Sequence, residues 1–278
     1  MPSVAAPPDR AYVLGHSADE LQRLIEQGRF FGDLTASVLR AAGFDEGMRV
    51  LDVGCGVGDV SFLAASLVGP RGDVIGVDKS PDAIEVATRR ASAAGLTNVR
   101  FVTEDVADLV LAEAVDALIG RLVLMYFADP AVMLRRLLAS LKPGGVVVFQ
   151  ELNSDTAASE PHCPVFATAV QRIWEAFTRA GCDTRTGLKL GSIFREAGLP
   201  APRMILAARV ESEPDSPIYD QVAEVTRSLL PLMERTGIAT AAEIGIDTLA
   251  DRIREEALAL NATLVSPALI GAWTRSAK

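Results

Sequence analysis

Residues 48–58, MRVLDVGCGVG, constrain this chain more than any other segment. A near-continuous apolar run enters Gly54, Gly56 and Gly58, and helical spacing follows over 58–68. An apolar run with no polar alternation marks a strand buried on both faces, and such a strand needs helices above and below its sheet. Glycines belong where a backbone must turn sharply and lie against something else. The same rhythm then repeats. DVIGVD (73–78) predicts a second strand. Pro81 opens a helix carrying Ile84, Ala87, Ala91 and Ala94 at helical spacing. NVRFVTED (98–105) and VDALIG (115–120) predict strands three and four. Residues 130–141 are helical, and Pro143-Gly144-Gly145 turns the chain into strand five, VVVFQEL (146–152). Alternation with short connections implies an α/β fold with a Rossmann-like, doubly wound sheet.

The flanks are helical. Apolar spacing predicts helices over 18–28 and 31–42, behind a leader over 1–10 that reads as disordered. The second half predicts a helix over 164–181, a short one over 189–197 and a strand over 203–212. Two helices, 217–235 and 240–261, follow. The run 263–274 reads as a strand with an edge or bulge at Pro267.

Composition excludes several functions. Of the 278 residues 27 are basic and 36 acidic, a net charge of −9, which argues against a surface that replaces nucleic-acid counterions. Three cysteines without a CxxC pair and two distant histidines argue against a zinc site, so no metal is expected. Few cysteines and no apolar leader fit a reducing cytoplasm. No run approaches the ~18 apolar residues that a membrane span requires.

The glycines point to a ligand. In G-x-G-x-G followed by Asp59, the acid would repel a pyrophosphate, so the loop suits a nucleoside rather than a dinucleotide. Asp78, twenty residues after Gly58, ends strand two where an acid can accept both hydroxyls of a ribose. Plainer readings stand beside these: a tight turn for the glycines, and helix caps for Asp78 and Asp105. Trp174 and Trp273 read as core more readily than as a substrate cage, and Cys55 as a small filler.

With Glu104-Asp105 and Leu141-Lys142-Pro143-Gly144-Gly145 added, residues 12–152 resemble the class I S-adenosylmethionine (SAM)-dependent methyltransferases, in particular the small-molecule group that includes ubiquinone/menaquinone-type enzymes. That resemblance implies seven strands ordered 3-2-1-4-5-7-6 with the last antiparallel. It implies a helical lid over 11–45, a SAM-binding core over 46–152 and a C-terminal half over 153–278 that completes the sheet, with an inserted helical segment 214–262. Asp52, Gly54 and Gly56 would cradle the methionine portion, and Asp78 the ribose, with Lys79 near the adenine. Asp105 and Val106 would meet the adenine ring. Arg121 and Leu122 would lie beside the sulfonium, and Tyr12, in a Tyr-x-x-Gly setting, would be a lid tyrosine.

The segment Gly120–Tyr126 lacks the Asn/Asp-Pro-Pro-Tyr/Phe of base methylases. The expected partner is therefore a small molecule, methylated at O, N or C, in an apolar lining that includes Met125, Tyr126, Phe127, Phe149, Phe166 and Phe177. The alternative is a protein of the same fold that keeps SAM as a structural or electrostatic cofactor for a cyclisation or rearrangement. The apolar faces of 214–262 would cover the pocket or contact a second copy in a homodimer. If a base is needed, His162, Glu151 and His16 are the candidates, with His162 favoured.

Overall fold

The computed structural model describes residues 12, 14, 15 and 17–277. It opens with α1 (Ala18–Ala42). The alternating region follows as β1 (Arg49–Val53), α2 (Asp59–Val68), β2 (Asp73–Asp78), α3 (Pro81–Ala93), β3 (Val99–Thr103), β4 (Val115–Arg121), α4 (Pro130–Leu137) and β5 (Leu141–Asn153). The second half holds β6 (Ala158–Glu160), α5 (Pro164–Arg179), α6 (Thr186–Glu196), β7 (Arg203–Ala207), β8 (Val210–Glu211), α7 (Ile218–Thr236), α8 (Ala241–Ile244), α9 (Leu249–Leu260), β9 (Thr263–Val265) and β10 (Ala268–Arg275). The main sheet runs β3-β2-β1-β4-β5-β10-β7, with β10 antiparallel to both neighbours. Counted by the strands of this sheet alone, that is the expected 3-2-1-4-5-7-6.

Burial on both faces explains the apolar strands. Leu51, Val53 and Ile75 pack beneath α4 and α6 with Leu134, Leu190 and Phe194. Val50, Val74 and Ala117 pack on the other face, against α1 and α2, with Val38, Leu39 and Ala64. Registers Val53↔Val77 and Val53↔Gly120 bring the ends of β1, β2 and β4 to one level.

A third core lies beyond the strand ends. Phe30 and Phe31 of α1 meet Phe166 and Ile173 of α5, Ile218 and Leu229 of α7, and Ile253 of α9. The inserted segment therefore buries its apolar faces within its own chain, as a cap. Among the described residues no helix is long and apolar enough to cross a membrane.

Packing corrects several sequence expectations. The predicted helices 18–28 and 31–42 are one helix, α1. Gly28 does not stop it: a Cβ there would lie 2.2 Å from Cγ of Asp59, so glycine lets α1 press on the start of α2. The predicted strand 203–212 ends at Ala207, and β8 joins a separate sheet ordered β6-β9-β8. The run 263–274 divides at Pro267, which has no N–H for the ladder. The helix over 240–261 breaks at Gly245, whose φ of 62° ends α8 before α9 begins. The leader 1–10 lies outside the described residues.

The floor of the capped region depends on α6 meeting β5 at close range. A Cβ on Gly187 would sit 2.8 Å from the Glu151 carbonyl oxygen and 3.0 Å from that of Leu152. Gly187→Ala gains ~1 kcal/mol of helix propensity. Overpacking against two backbone carbonyls costs ~1–3 kcal/mol, and backbone cannot swing aside as a side chain can. We expect a net loss of stability, read as a lower urea midpoint at unchanged slope; a midpoint at or above wild type would contradict the packing.

Candidate functional site: a cavity between the strand ends and the cap

A cavity of about 240 Å³ lies between the strand ends and the cap. Its lower wall comes from Gly54, Gly56, Asp78, Lys79, Asp105, Val106, Arg121 and Leu122, all singled out by sequence. At Gly54 and Gly56 the backbone is left-handed, with φ of 65° and 51°. A Cβ on Gly56 would meet nothing nearer than Leu24 at 3.9 Å, so a side chain there would project into open cavity space.

Asp78 locks the cradle. Its Oδ2 accepts from the Gly56 N–H at 2.9 Å and its Oδ1 from the Ser80 N–H at 2.9 Å. Ser80, not Asp78, caps α3 through its hydroxyl. Each Asp78 oxygen still has lone-pair capacity for a ligand hydroxyl. Asp105 is exposed and accepts from the Ala107 N–H at 2.8 Å, beside Val106 in the wall. These features suit a nucleoside: carboxylates at two strand ends, and a backbone cradle that a side chain would fill.

Asp52 sits elsewhere than expected. It is 1% exposed, accepts from the Ser61 hydroxyl at 2.6 Å and takes no part in the cavity wall. It supports the loop from beneath. Burial pushes its carboxyl up to about 7, against the pull of the Ser61 hydrogen bond and the Arg121 charge.

Neither favoured base reaches the cavity. His162 is exposed and outside the wall: it sits in the turn just before Cys163, the cap of α5, with its side chain in solvent. Glu151 is fully buried and also outside the wall. Its Oε1 accepts from the N–H groups of Val123 at 2.9 Å and Leu124 at 2.7 Å, while Oε2 has no partner. It thus grips the segment after β4, where Leu122 holds a φ of 57°. Burial pushes its carboxyl up to about 7. His16 lies outside the described residues.

The upper wall is apolar. Met125, Tyr126, Phe127 and Phe177 line it as expected, joined by Phe30, Phe31, Ile173, Trp174 and Val222. Phe149 and Phe166 do not: Phe149 packs in the sheet near Phe194, and Phe166 in the cap core. Tyr12 lines the cavity, donates to Glu20 Oε1 at 2.7 Å, and sets its ring 5.3 Å from that of Tyr126.

Sequence reading missed Glu20, Arg23, Gln27 and Thr35. Arg23 pairs with Glu20 at 2.6 Å, both at most 2% exposed, and donates to Gln27 at 2.7 Å. The i, i+3, i+7 spacing was the available signal, but charges on an amphipathic helix ordinarily read as its solvated face.

The buried carboxyls make a pH prediction. In the folded chain Asp52 and Glu151 titrate near 7, against ordinary values near 4. Between those limits the folded state holds protons that the unfolded chain has released. Both groups therefore contribute stability that is lost as pH rises from about 4 through about 7. Glu151→Gln keeps an acceptor for Val123 and Leu124 and removes one titration. Its urea-unfolding free energy should fall less steeply than that of wild type between pH 4.5 and 7.5. Equal slopes would show that Glu151 does not hold its proton in the fold.

Comparison with known proteins agrees with this geometry. A family model described as a methyltransferase domain matches residues 44–198, more than half of the chain. The demethylmenaquinone methyltransferase of Staphylococcus aureus is 34% identical over 130 residues, 46% of this chain and 51% of that protein. This chain thus spans about half the length of the curated relatives it matches. Among solved structures, a putative methyltransferase from Bacillus halodurans superposes with a TM-score of 0.59 at 15% identity, covering 88% of this chain and 99% of that one. A SAM-dependent methyltransferase from Aquifex aeolicus gives 0.54 at 20% identity, covering 69% and 93%. The expected strand order, the glycine cradle clasped by Asp78 and the family match converge: the chain belongs to the methyltransferase-domain family, with the fold of class I SAM-dependent methyltransferases.

Proposed function

We propose that this chain transfers the methyl group of SAM to an O, N or C atom of a small, largely apolar molecule. The observation that carries the reading is the continuity of one cavity, from a nucleoside-type cradle at the strand ends to an aromatic chamber under the cap. In this reading Asp78 accepts the ribose hydroxyls. Asp105 accepts from the adenine amino group and the Val106 N–H meets the ring, with Lys79 alongside. The Gly54–Gly56 backbone holds the methionine portion.

When bound, SAM supplies a methyl group on a sulfonium, which is electrophilic without further activation. The chain then has to position and dehydrate the acceptor. Phe30, Phe31, Phe127 and Phe177 exclude water from the chamber. Tyr126 lines it, and burial pushes its phenol well above the usual range, so it stays protonated as a hydrogen-bond donor. Glu151 acts at one remove, holding the backbone of Val123 and Leu124 so that Leu122, Val123 and Met125 keep their places in the wall. The apolar chamber and the net charge of −9 favour a metabolite over nucleic acid.

Incubation with methyl-labelled SAM and a fractionated metabolite extract should yield a labelled product 14 mass units above its precursor. Asp78→Ala should weaken S-adenosylhomocysteine binding at least tenfold by calorimetry, because a hydrogen bond to a charged group contributes ~1.5–3 kcal/mol. Unchanged affinity in that variant, or NAD binding as tightly as SAM, would refute the reading. A product formed without mass gain in a SAM-requiring reaction would point to rearrangement chemistry.

A further inference from the structure

Among the described residues, the seven-stranded sheet ends at β3 on one side and at β7 on the other. Charge guards the β3 edge, where Arg100 is 48% exposed and pairs with Asp73 at 3.5 Å. The β7 edge has no such guard. Met204, Ile205 and Leu206 are 42%, 45% and 54% exposed, and Leu188 of α6 is 50% exposed. An exposed edge strand presents a row of unpaired N–H and C=O groups, and proteins ordinarily blunt it with charge, proline or a bulge. Within β7 only Arg203, its first residue, is charged, and that guanidinium lies over the Trp273 ring at 5.6 Å. The ladder with β10 runs unbroken from Arg203 to Ala207.

The two faces of this strand are fixed by its neighbours. Gly271 stands opposite Ile205, and a Cβ on Gly271 would lie 2.8 Å from Val38. Ile205 is therefore on the face covered by α1. A Cβ on Gly191 would lie 3.4 Å from the Met204 sulfur. Met204, and Leu206 two residues on, are therefore on the face covered by α6. Leu188, one turn before Gly191 on α6, extends that apolar stripe. None of these four apolar residues lines the cavity.

Such an edge takes another strand of matching pattern, and β7 matches itself. A second copy related by a two-fold axis normal to the sheet pairs antiparallel and brings like faces together. Paired residues share a face, so the axis passes through a residue and not between two. On Met204 it would draw in Pro202, which has no N–H. On Leu206 it would carry the pairing past Ala207, the end of β7. On Ile205 every residue of β7 is paired: Ile205 meets its own copy, Met204 meets Leu206, and Arg203 meets the neutral Ala207. The two Arg203 side chains then stand ~13 Å apart along the strands, so no like charges oppose. We infer that β7 is a homodimer edge, with two copies joined antiparallel about Ile205 and with Leu188, Met204 and Leu206 covering the seam on the α6 face.

Sedimentation velocity over a dilution series tests this. Two short paired strands make a small interface, below ~1,200 Å², so the dimer should dissociate on dilution. Ile205→Lys sets two like charges face to face on the axis and should weaken association at least tenfold, while thermal unfolding of the dilute protein stays unchanged. Cross-linking reads the register. The native cysteines Cys55, Cys163 and Cys182 are buried, so an oxidant should join two copies of an Ile205→Cys variant through the introduced thiols. Arg203→Cys should not cross-link, because a disulfide needs Cα atoms within ~7 Å. Wild-type protein that stays monomeric at about 200 μM overturns the proposal and leaves the edge to a strand of another protein. A dimer that Ile205→Lys leaves intact overturns it too, as does cross-linking of Arg203→Cys as fast as of Ile205→Cys.

Discussion

The exit from β1 is the constraint on which the rest of the architecture depends. The Cys55 N–H still pairs with the Val77 carbonyl at 3.0 Å, while one residue on the Gly56 N–H reaches across to the Asp78 carboxylate at 2.9 Å. The strand thus ends against its neighbour instead of running on, and the backbone turns into the left-handed region at Gly54, Gly56 and Gly58. That turn opens the space where a nucleoside can lie against backbone, and it points the start of α2 toward α1. Asp52 is enclosed under this turn, where burial keeps its carboxyl largely protonated in acid and makes it a cost to the fold as pH rises.

A second requirement is to roof the opening without filling it. α1 does this by spanning two cores: Val38 and Leu39 pack beneath the sheet, and Phe30 and Phe31 pack in the cap. A single rigid helix ties the cap to the cradle more firmly than two short helices joined by a loop. Gly28 makes this possible by letting helix and loop approach, at the ~1 kcal/mol that a helical glycine forfeits. The inserted α7 then closes the roof with Ile218, Val222 and Val225, backed by α9 in the cap core, so the upper wall of the chamber is largely apolar.

In such a setting the few buried polar groups take up structural work. Glu151 spends its carboxylate on two N–H groups of the segment after β4, a segment with no regular strand or α-helix to satisfy them. Glu20 and Arg23 satisfy one another within α1 and give Tyr12 a fixed partner. Arg121 is the exception, with one neutral partner, the Thr35 hydroxyl. Under the proposed methyl transfer the chemistry consists of orienting and dehydrating two ligands, in keeping with a wall to which neither His162 nor Glu151 contributes.

Local pattern carried the alternating core. Strands buried on both faces and helices with one apolar stripe have periods that survive without context, so β1 to β5 and the cradle residues Gly54, Gly56 and Asp78 were legible from spacing and residue type, while the strand order and the place of Asp105 came from the family resemblance. What escaped depends on contacts between segments remote in the chain. Gly28 looks like a helix stop until Asp59 is seen against it. Pro267 reads as a bulge until β9 and β10 are found in different sheets. Glu151, Asp52 and His162 have the right chemistry for a site, yet whether a strand-end or loop side chain faces the cavity depends on what packs on each face. Glu20 and Arg23 share one helical face, but that spacing does not distinguish a buried face from a solvated one; their enclosure, like that of Thr35, comes from segments remote in the chain packing around α1. Periodicity tells which face of an element is apolar; which buried polar group meets the ligand is settled by three-dimensional packing, since burial and charge pairing are properties of neighbours and not of the residue.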